Sequence, residues 1–236
     1  MFAALVSLIG ALWFAIVYGG CDAITAHRTA RIRVHLEAEL GIPFIPEMVV
    51  VYSSIYVLFL AAPFIFRRQE DFLRLALELD AIILLAGIGF LLIPAQLAFR
   101  PESDLGLFPV PFRFADKLNL TYNLVPSLHV ALNVACITGF AARARPVGAL
   151  FLWVWAVLIS ASTLFTHQHH LLDVVAGWIL ALSVCRVFSR AKGAIEASNP
   201  KWPRSSREVI SSLYRRPQRR RGKATNKQRR ERLTPQ

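Results

Sequence analysis

Residues 147–188 read VGALFLWVWAVLISASTLFTHQHHLLDVVAGWILALSVCRVF. Two long apolar runs, 147–166 and 169–188, meet at a knot of three histidines, His167, His169 and His170. A helix rises about 1.5 Å per residue, so roughly 20 apolar residues cross a hydrocarbon core about 30 Å thick. Neither run shows the alternation of period 2 or 3.6 that a half-buried soluble element would carry. Both read as membrane spans. Working outward, residues 1–20, 44–66, 75–98 and 126–143 read the same way, in a chain that is 55% hydrophobic. The expected fold is all-α, a polytopic membrane helix bundle with about six transmembrane helices. Glu78 and Asp80 sit early in the third run, beside Arg67, Arg68 and Arg74, where structural pairing is expected. Residues 1–20 lack a basic start and a small-residue cleavage site, so they read as a retained helix.

Charge divides the chain. The net +12 falls within residues 189–236, which hold fifteen Lys and Arg against three Glu, while residues 1–188 balance to zero. Two domains are expected: a transmembrane domain over 1–188, with its motif core at about 44–188, and a disordered basic tail over 189–236. Basic residues gather on the cytoplasmic side, so the tail is placed there, with anionic inner-leaflet lipids as its expected partner. No nucleic-acid partner is expected. Six passes put the 99–125 loop and the 166–169 turn on the opposite face, periplasmic, extracellular or lumenal. Residues 21–43 also fall on that face although they carry Arg28, Arg31 and Arg33, and Thr25–Leu40 reads as a helix lying on the membrane surface. Cys21, Cys136 and Cys185 have no paired spacing, so no disulfide framework or zinc motif is implied.

Chemistry concentrates at two helix starts. One is Asn123-Leu-Val-Pro126-Ser127-Leu128-His129; the other runs from Ser162 and Thr163 through the histidines to Asp173. His169 and Asp173 are four apart and share a helix face, so the carboxylate can take the Nδ1 proton and leave Nε2 as a nucleophile. His170, three before Asp173, has the same opportunity, and spacing does not choose between them. Pro126 suits a first helical turn, whose free N–H groups favour an anion. Ser127 and His129 lie in that turn, placed to hold a phosphate oxygen and to protonate a leaving group. The same residue types also fit interhelical hydrogen bonding or a zinc or iron site.

The ordered set resembles the type 2 phosphatidic acid phosphatase superfamily, with its motifs KxxxxxxRP, PSxH and SRxxxxxHxxxD. Arg100-Pro101 matches the end of the first, Pro126-Ser127-Leu128-His129 the second, and Ser162, His169 and Asp173 the third. The resemblance implies that His169 attacks phosphorus, Asp173 orients it and His129 handles the leaving-group proton. It further implies that Arg100 and Ser127 hold phosphate oxygens, with Ser162 the serine of the third motif in the same phosphate site. It implies neither metal nor other cofactor.

Two family cations are missing: Ile93 stands for the Lys and Thr163 for the third-motif Arg, with Arg113 and Lys117 as replacements in the same loop. Electrostatic stabilisation is usually the largest catalytic term, so the deficit points toward a monoanionic phosphodiester. The sphingomyelin and inositol phosphorylceramide synthase branch resembles that pattern. The expected activity is a lipid phosphatase or phosphotransferase working through phosphohistidine, hydrolysis ranking above headgroup transfer. A non-catalytic membrane scaffold is the reading from another class.

Overall fold

The computed structural model describes residues 1–99 and 104–198. The tail beyond Ser198, together with Arg100 and Pro101, lies outside the described residues. The chain divides into two compact units, Met1–Ser189 and Arg190–Gln236, and the helix bundle is the first of them. The apolar runs form helices α1 (Phe2–Ala26), α2 (Val49–Ser53), α3 (Ile55–Ile65), α4 (Gln69–Leu92), α5 (Pro109–Leu118), α6 (Leu128–Ala141), α7 (Pro146–Phe165) and α8 (Leu171–Ser198). Among the described residues five spans are long and apolar enough to cross a membrane: Phe2–Ala26, Pro46–Ile65, Gln69–Leu92, Pro146–Phe165 and Leu171–Ala191. The sixth, α6, is apolar but only 14 residues long. The all-helical bundle is that of an integral membrane protein.

Burial explains why α6 can be short. Val130, Ala131, Val134, Ala135, Cys136 and Ile137 are all fully enclosed, and α6 packs on α3, α4 and α7. It is the centre of the bundle. By contrast α1 leaves Leu5, Leu8, Ile9, Leu12 and Ile16 exposed, as a lipid-facing helix does, and is held mainly by α4.

Helix α1 runs on to Ala26 and α8 to Ser198, into the expected tail, and three further departures from the sequence expectation have a cause in the packing. First, α4 starts six residues sooner than expected, at Gln69, because its charges are paired. Arg74 Nε bonds Glu78 at 2.9 Å and Arg143 reaches Asp71 at 3.2 Å. It stops at Leu92 because Pro94 disfavours helix at the residue before it. Second, Thr25–Leu40 is not a surface helix. The chain there pairs with the end of α4 in a single parallel bridge, Ile32 N–H donating to Pro94 O (3.0 Å) and Gln96 N–H to Ile32 O (3.2 Å), before a 3-10 turn at Glu37–Gly41. Its arginines cap helices: Arg28 donates to Leu91 O at the end of α4, Arg31 to Thr25 O at the end of α1. Cations belong at helix C-termini, which accounts for basic residues where the charge-bias rule did not want them. Third, the 99–125 loop contains α5, an amphipathic helix that buries Phe112 and Ala115.

Candidate functional site

The two helix starts singled out in the sequence are joined by backbone. Ser127 N–H donates to the carbonyl of Asp173 at 2.9 Å. A Cβ on Gly177 would stand 2.6 Å from Ser127 O, and one on Gly89 would stand 2.6 Å from Pro126 Cδ. The Pro126–Ser127 turn is therefore wedged between α4 and α8 at a spacing that only glycine permits. Ser127 then caps α6, its Oγ accepting from Val130 N–H, the ordinary role of serine at that position. The turn before α8 is closed from inside: Thr163 O accepts from the N–H groups of Gln168 (3.0 Å) and His169 (3.1 Å), and His167 adopts a left-handed φ of 54°. Ser162 and Thr163 are wholly buried, their hydroxyls donating to Ile159 O and Ser160 O.

Three histidines in four residues find three different sets of partners. His169 places Nδ1 3.3 Å from Asp173 Oδ2, and the same oxygen accepts His170 N–H at 2.8 Å. A carboxylate only accepts, so Nδ1 carries the proton and Nε2 keeps its lone pair. His170 is engaged at both nitrogens. The Ala98 N–H donates to its Nε2 (3.1 Å), so Nδ1 must hold the proton, which it donates to Glu39 Oε2 at 3.2 Å. Burial pushes the His170 imidazole below its ordinary range, against the upward pull of Asp173 and Glu39. His167 bonds Ile42 O through Nε2 (3.0 Å) and stacks on Phe99. Of the pair that spacing left open, only His169 has an uncommitted nitrogen among the described residues. No group of three or more His, Cys, Asp or Glu is placed to hold a metal ion among them.

His129, one residue into α6, stacks on the Tyr52 ring (centroids 3.8 Å apart) and donates from Nε2 to Tyr52 O at 3.0 Å. Tyr52 is tied in turn to the α8 turn: its hydroxyl donates to Asn119 Oδ1 (2.7 Å), and Asn119 Nδ2 donates to Gln168 Oε1 (2.8 Å). This polar chain fixes the two histidines relative to each other. His129 and His169 both line one cavity of about 450 Å³, whose other walls are mostly apolar side chains of α1, α3, α4 and α6. No Lys or Arg lines it among the described residues. Arg113 and Lys117 are exposed on α5.

The structure thus brings His129 and His169 to one cavity, with Asp173 against His169 and Ser127 bonded through its N–H to the Asp173 carbonyl. Residues 94–195 match the family model of the PAP2 superfamily. Over that stretch the chain is similar to the PAP2 superfamily. PAP2 proteins are phosphatases and phosphotransferases, and the match covers every candidate site residue from Arg100 to Asp173. No curated protein matches the chain. Outside the PAP2 segment lie two residues that sequence reasoning missed, Glu39 and Tyr52; inside it, Asn119 and Gln168 were missed as well. Gln168 was findable, as a polar residue between two histidines at a helix start. Glu39 was not, since it acts across 131 positions of chain.

Proposed function

We propose that this protein transfers a phospho group from a lipid phosphate ester through a phosphohistidine on His169. The observation that carries this is the shared cavity: two imidazoles on the wall of one mostly apolar chamber, one of them backed by a buried carboxylate. Nε2 of His169 attacks phosphorus and the P–O bond to the lipid breaks. The departing oxygen takes its proton from His129. To act as the acid, His129 takes a proton onto Nδ1 from the P–OH of the bound monoester, keeps its Tyr52 bond through Nε2–H and passes that proton to the departing oxygen. Asp173 holds the His169 tautomer and balances the positive charge that the ring acquires on phosphorylation. Water, its proton taken by His129, then attacks phosphorus, the P–N bond breaks, and inorganic phosphate leaves.

Arg100 is proposed to grip the phosphate oxygens, with Ser127 and Ser162 shaping the floor beneath them. The site is proposed to face away from the side that holds the basic tail, which is proposed to lie against anionic lipid. A second reading has its own support. With Ile93 and Thr163 in place of two cations, the site suits a monoanionic phosphodiester, and a lipid alcohol in place of water would make the protein a headgroup transferase.

Both readings are tested by supplying the purified full-length protein with phosphatidate, lysophosphatidate, prenyl diphosphate and a donor–acceptor lipid pair. Phosphate release and headgroup transfer are scored together, beside His129→Ala and His169→Ala. Release from a monoester, lost by about 10²-fold or more in His129→Ala and abolished in His169→Ala, is the expected result. Transfer without release selects the second reading. Neither product from any lipid overturns both and leaves a scaffold.

A further inference from the structure

Helix α5 has two apolar faces, and the bundle covers only one of them. Phe112 and Ala115 are buried on the first, packed with Val49 and Tyr52. Val110, Phe114 and Leu118 recur every fourth residue on the second and are 76%, 59% and 45% exposed. At 3.6 residues per turn the two faces stand about 130° apart. Arg113 and Lys117, also four apart, line the flank between the exposed stripe and Asp116, and all three are exposed. Among the described residues no carboxylate pairs with either cation. An apolar stripe beside a cationic one is the pattern of a helix that lies in a membrane surface.

The anchors of α5 set its level. Val49 and Tyr52 fall in the first two turns of the span Pro46–Ile65, so α5 packs within about 10 Å of the end of that span. Leu107 N–H, just before the helix, donates to Glu47 (3.4 Å). Asn119, just after it, bonds both Tyr52 and Gln168. With both ends tied to the bundle, the stripe stays turned outward. Val50, beside Val49, is exposed as well, so the span offers lipid a side chain at the level where α5 sits on it. Leu118, last in the stripe, also lines the cavity that holds His129 and His169, whereas Arg113 and Lys117 do not.

We propose that α5 lies in the membrane surface at the histidine end of the bundle, its stripe among acyl chains and Arg113 and Lys117 on the phosphates of anionic lipid headgroups. The partner is the bilayer itself. Both cations have stems that can run along apolar surface and lift the charge to headgroup level. The proposal holds whichever reaction the histidines perform. It gives the two loop cations a task outside the cavity, in place of the one expected from sequence, which was to replace missing charge at phosphorus.

Two measurements on the full-length protein in lipid vesicles test this, and neither needs turnover. Val110→Cys, Phe114→Cys and Asp116→Cys each take an environment-sensitive fluorophore; Cys21, Cys136 and Cys185 are buried, and the unsubstituted protein sets the background. Labels on Val110→Cys and Phe114→Cys should be quenched by lipids bearing a nitroxide high on the acyl chain, the depth of about 5–10 Å that such a helix reaches. They should be shielded from aqueous iodide, and the label on Asp116→Cys should show the reverse. Iodide reaching all three alike places the stripe in water and overturns the proposal. Shielding of the stripe labels from both quenchers means that protein covers them, a second copy or another chain, and overturns it too.

The second measurement compares quenching of the Phe114→Cys label by nitroxide-bearing phosphatidylglycerol and phosphatidylcholine at equal density. The anionic lipid should be enriched about fivefold for each cation that meets it, so it should quench more. The excess should shrink in Arg113→Gln, shrink again when Lys117→Gln is added, and weaken as salt is raised. Equal quenching by the two lipids with both cations in place, or an excess that the double variant keeps, overturns the headgroup contact.

Discussion

Replacing Glu39 with alanine isolates what the first loop does for the site. Its carboxylate is buried and accepts three N–H groups: Leu36 on Oε1 (3.2 Å), and His170 Nδ1 (3.2 Å) and Leu171 (2.9 Å) on Oε2. The three losses are unequal. Leu36 lies in an exposed stretch, so water replaces its partner at little cost. Leu171 opens α8, is half exposed, and loses a charge-assisted bond at a helix N-terminus, worth about 1.5–3 kcal/mol with a carboxylate and about half that with water. His170 is fully buried, so its Nδ1–H is left unsatisfied at about 1–3 kcal/mol. Turning the ring to escape would strand the Ala98 N–H instead. The sum is roughly 2–5 kcal/mol, and at about 2–4 °C per kcal/mol for a chain of this size the melting temperature should fall by about 10 °C. Glu39→Gln retains an oxygen for the two Oε2 donors and loses mainly the charge, so it should fall by no more than about a third of that. Thermal unfolding in one fixed detergent reads both. If alanine melts within about 2 °C of the parent, or if glutamine is as damaging as alanine, the account of Glu39 as a shared acceptor is wrong.

Asp173→Asn should lower turnover by roughly 10²- to 10⁴-fold, the usual scale for proton handling, with melting altered far less. An amide oxygen in the place of Oδ2 still accepts both N–H groups, so what the variant removes is the negative charge that would offset the phosphorylated ring. Gly177→Ala places a methyl 2.6 Å from Ser127 O and should cost about 1–3 kcal/mol by overpacking, whereas Gly19→Ala, with nothing within 4 Å, should be silent in the same melt. Stability should also decline with acidity through His170. Its folded pKa is lowered by burial from the ordinary 6.5, so below that value the unfolded chain binds a proton that the folded chain refuses, and unfolding is favoured as pH falls. Above 6.5 both states are neutral there and the contribution is flat. A His170→Gln variant should lose this part of the slope in melts taken between pH 7 and pH 5.

The bundle was legible because hydrocarbon imposes a length on every element that crosses it, and six apolar runs are visible without knowing any partner. What was illegible depends on partners. Arg74, Glu78 and Asp71 looked like the interfacial edge of a span beginning near residue 75, yet their pairing lets α4 begin at Gln69. Arg28 and Arg31 looked like evidence about topology, and their work is to satisfy carbonyls at two helix ends. The stretch Phe108-Pro109-Val110-Pro111 reads as loop, although a proline in a first turn costs a helix nothing and α5 begins there. At the site, the pairing of His169 with Asp173 comes from helical spacing. The fate of His170 does not, because the acceptor and donor that occupy it come from Glu39 and Ala98, remote in sequence.

Those remote contacts also bear on how a site with few fixed cations can hold phosphate. His170 receives Ala98 N–H, and the neighbouring Phe99 ring stacks on both His170 (4.7 Å) and His167 (4.0 Å). The chain is thus pinned by two histidines at the residue immediately before Arg100. Preorganised charge is what counts in a water-poor site. The three histidines of this turn then divide one task. On the proposed mechanism His169 would meet phosphorus, while His167 and His170 hold Ala98 and Phe99 and Glu39 keeps His170 in the tautomer that can accept from Ala98 N–H. On this argument the uncharged residues at Ile93 and Thr163 and the histidine-rich turn are parts of one arrangement.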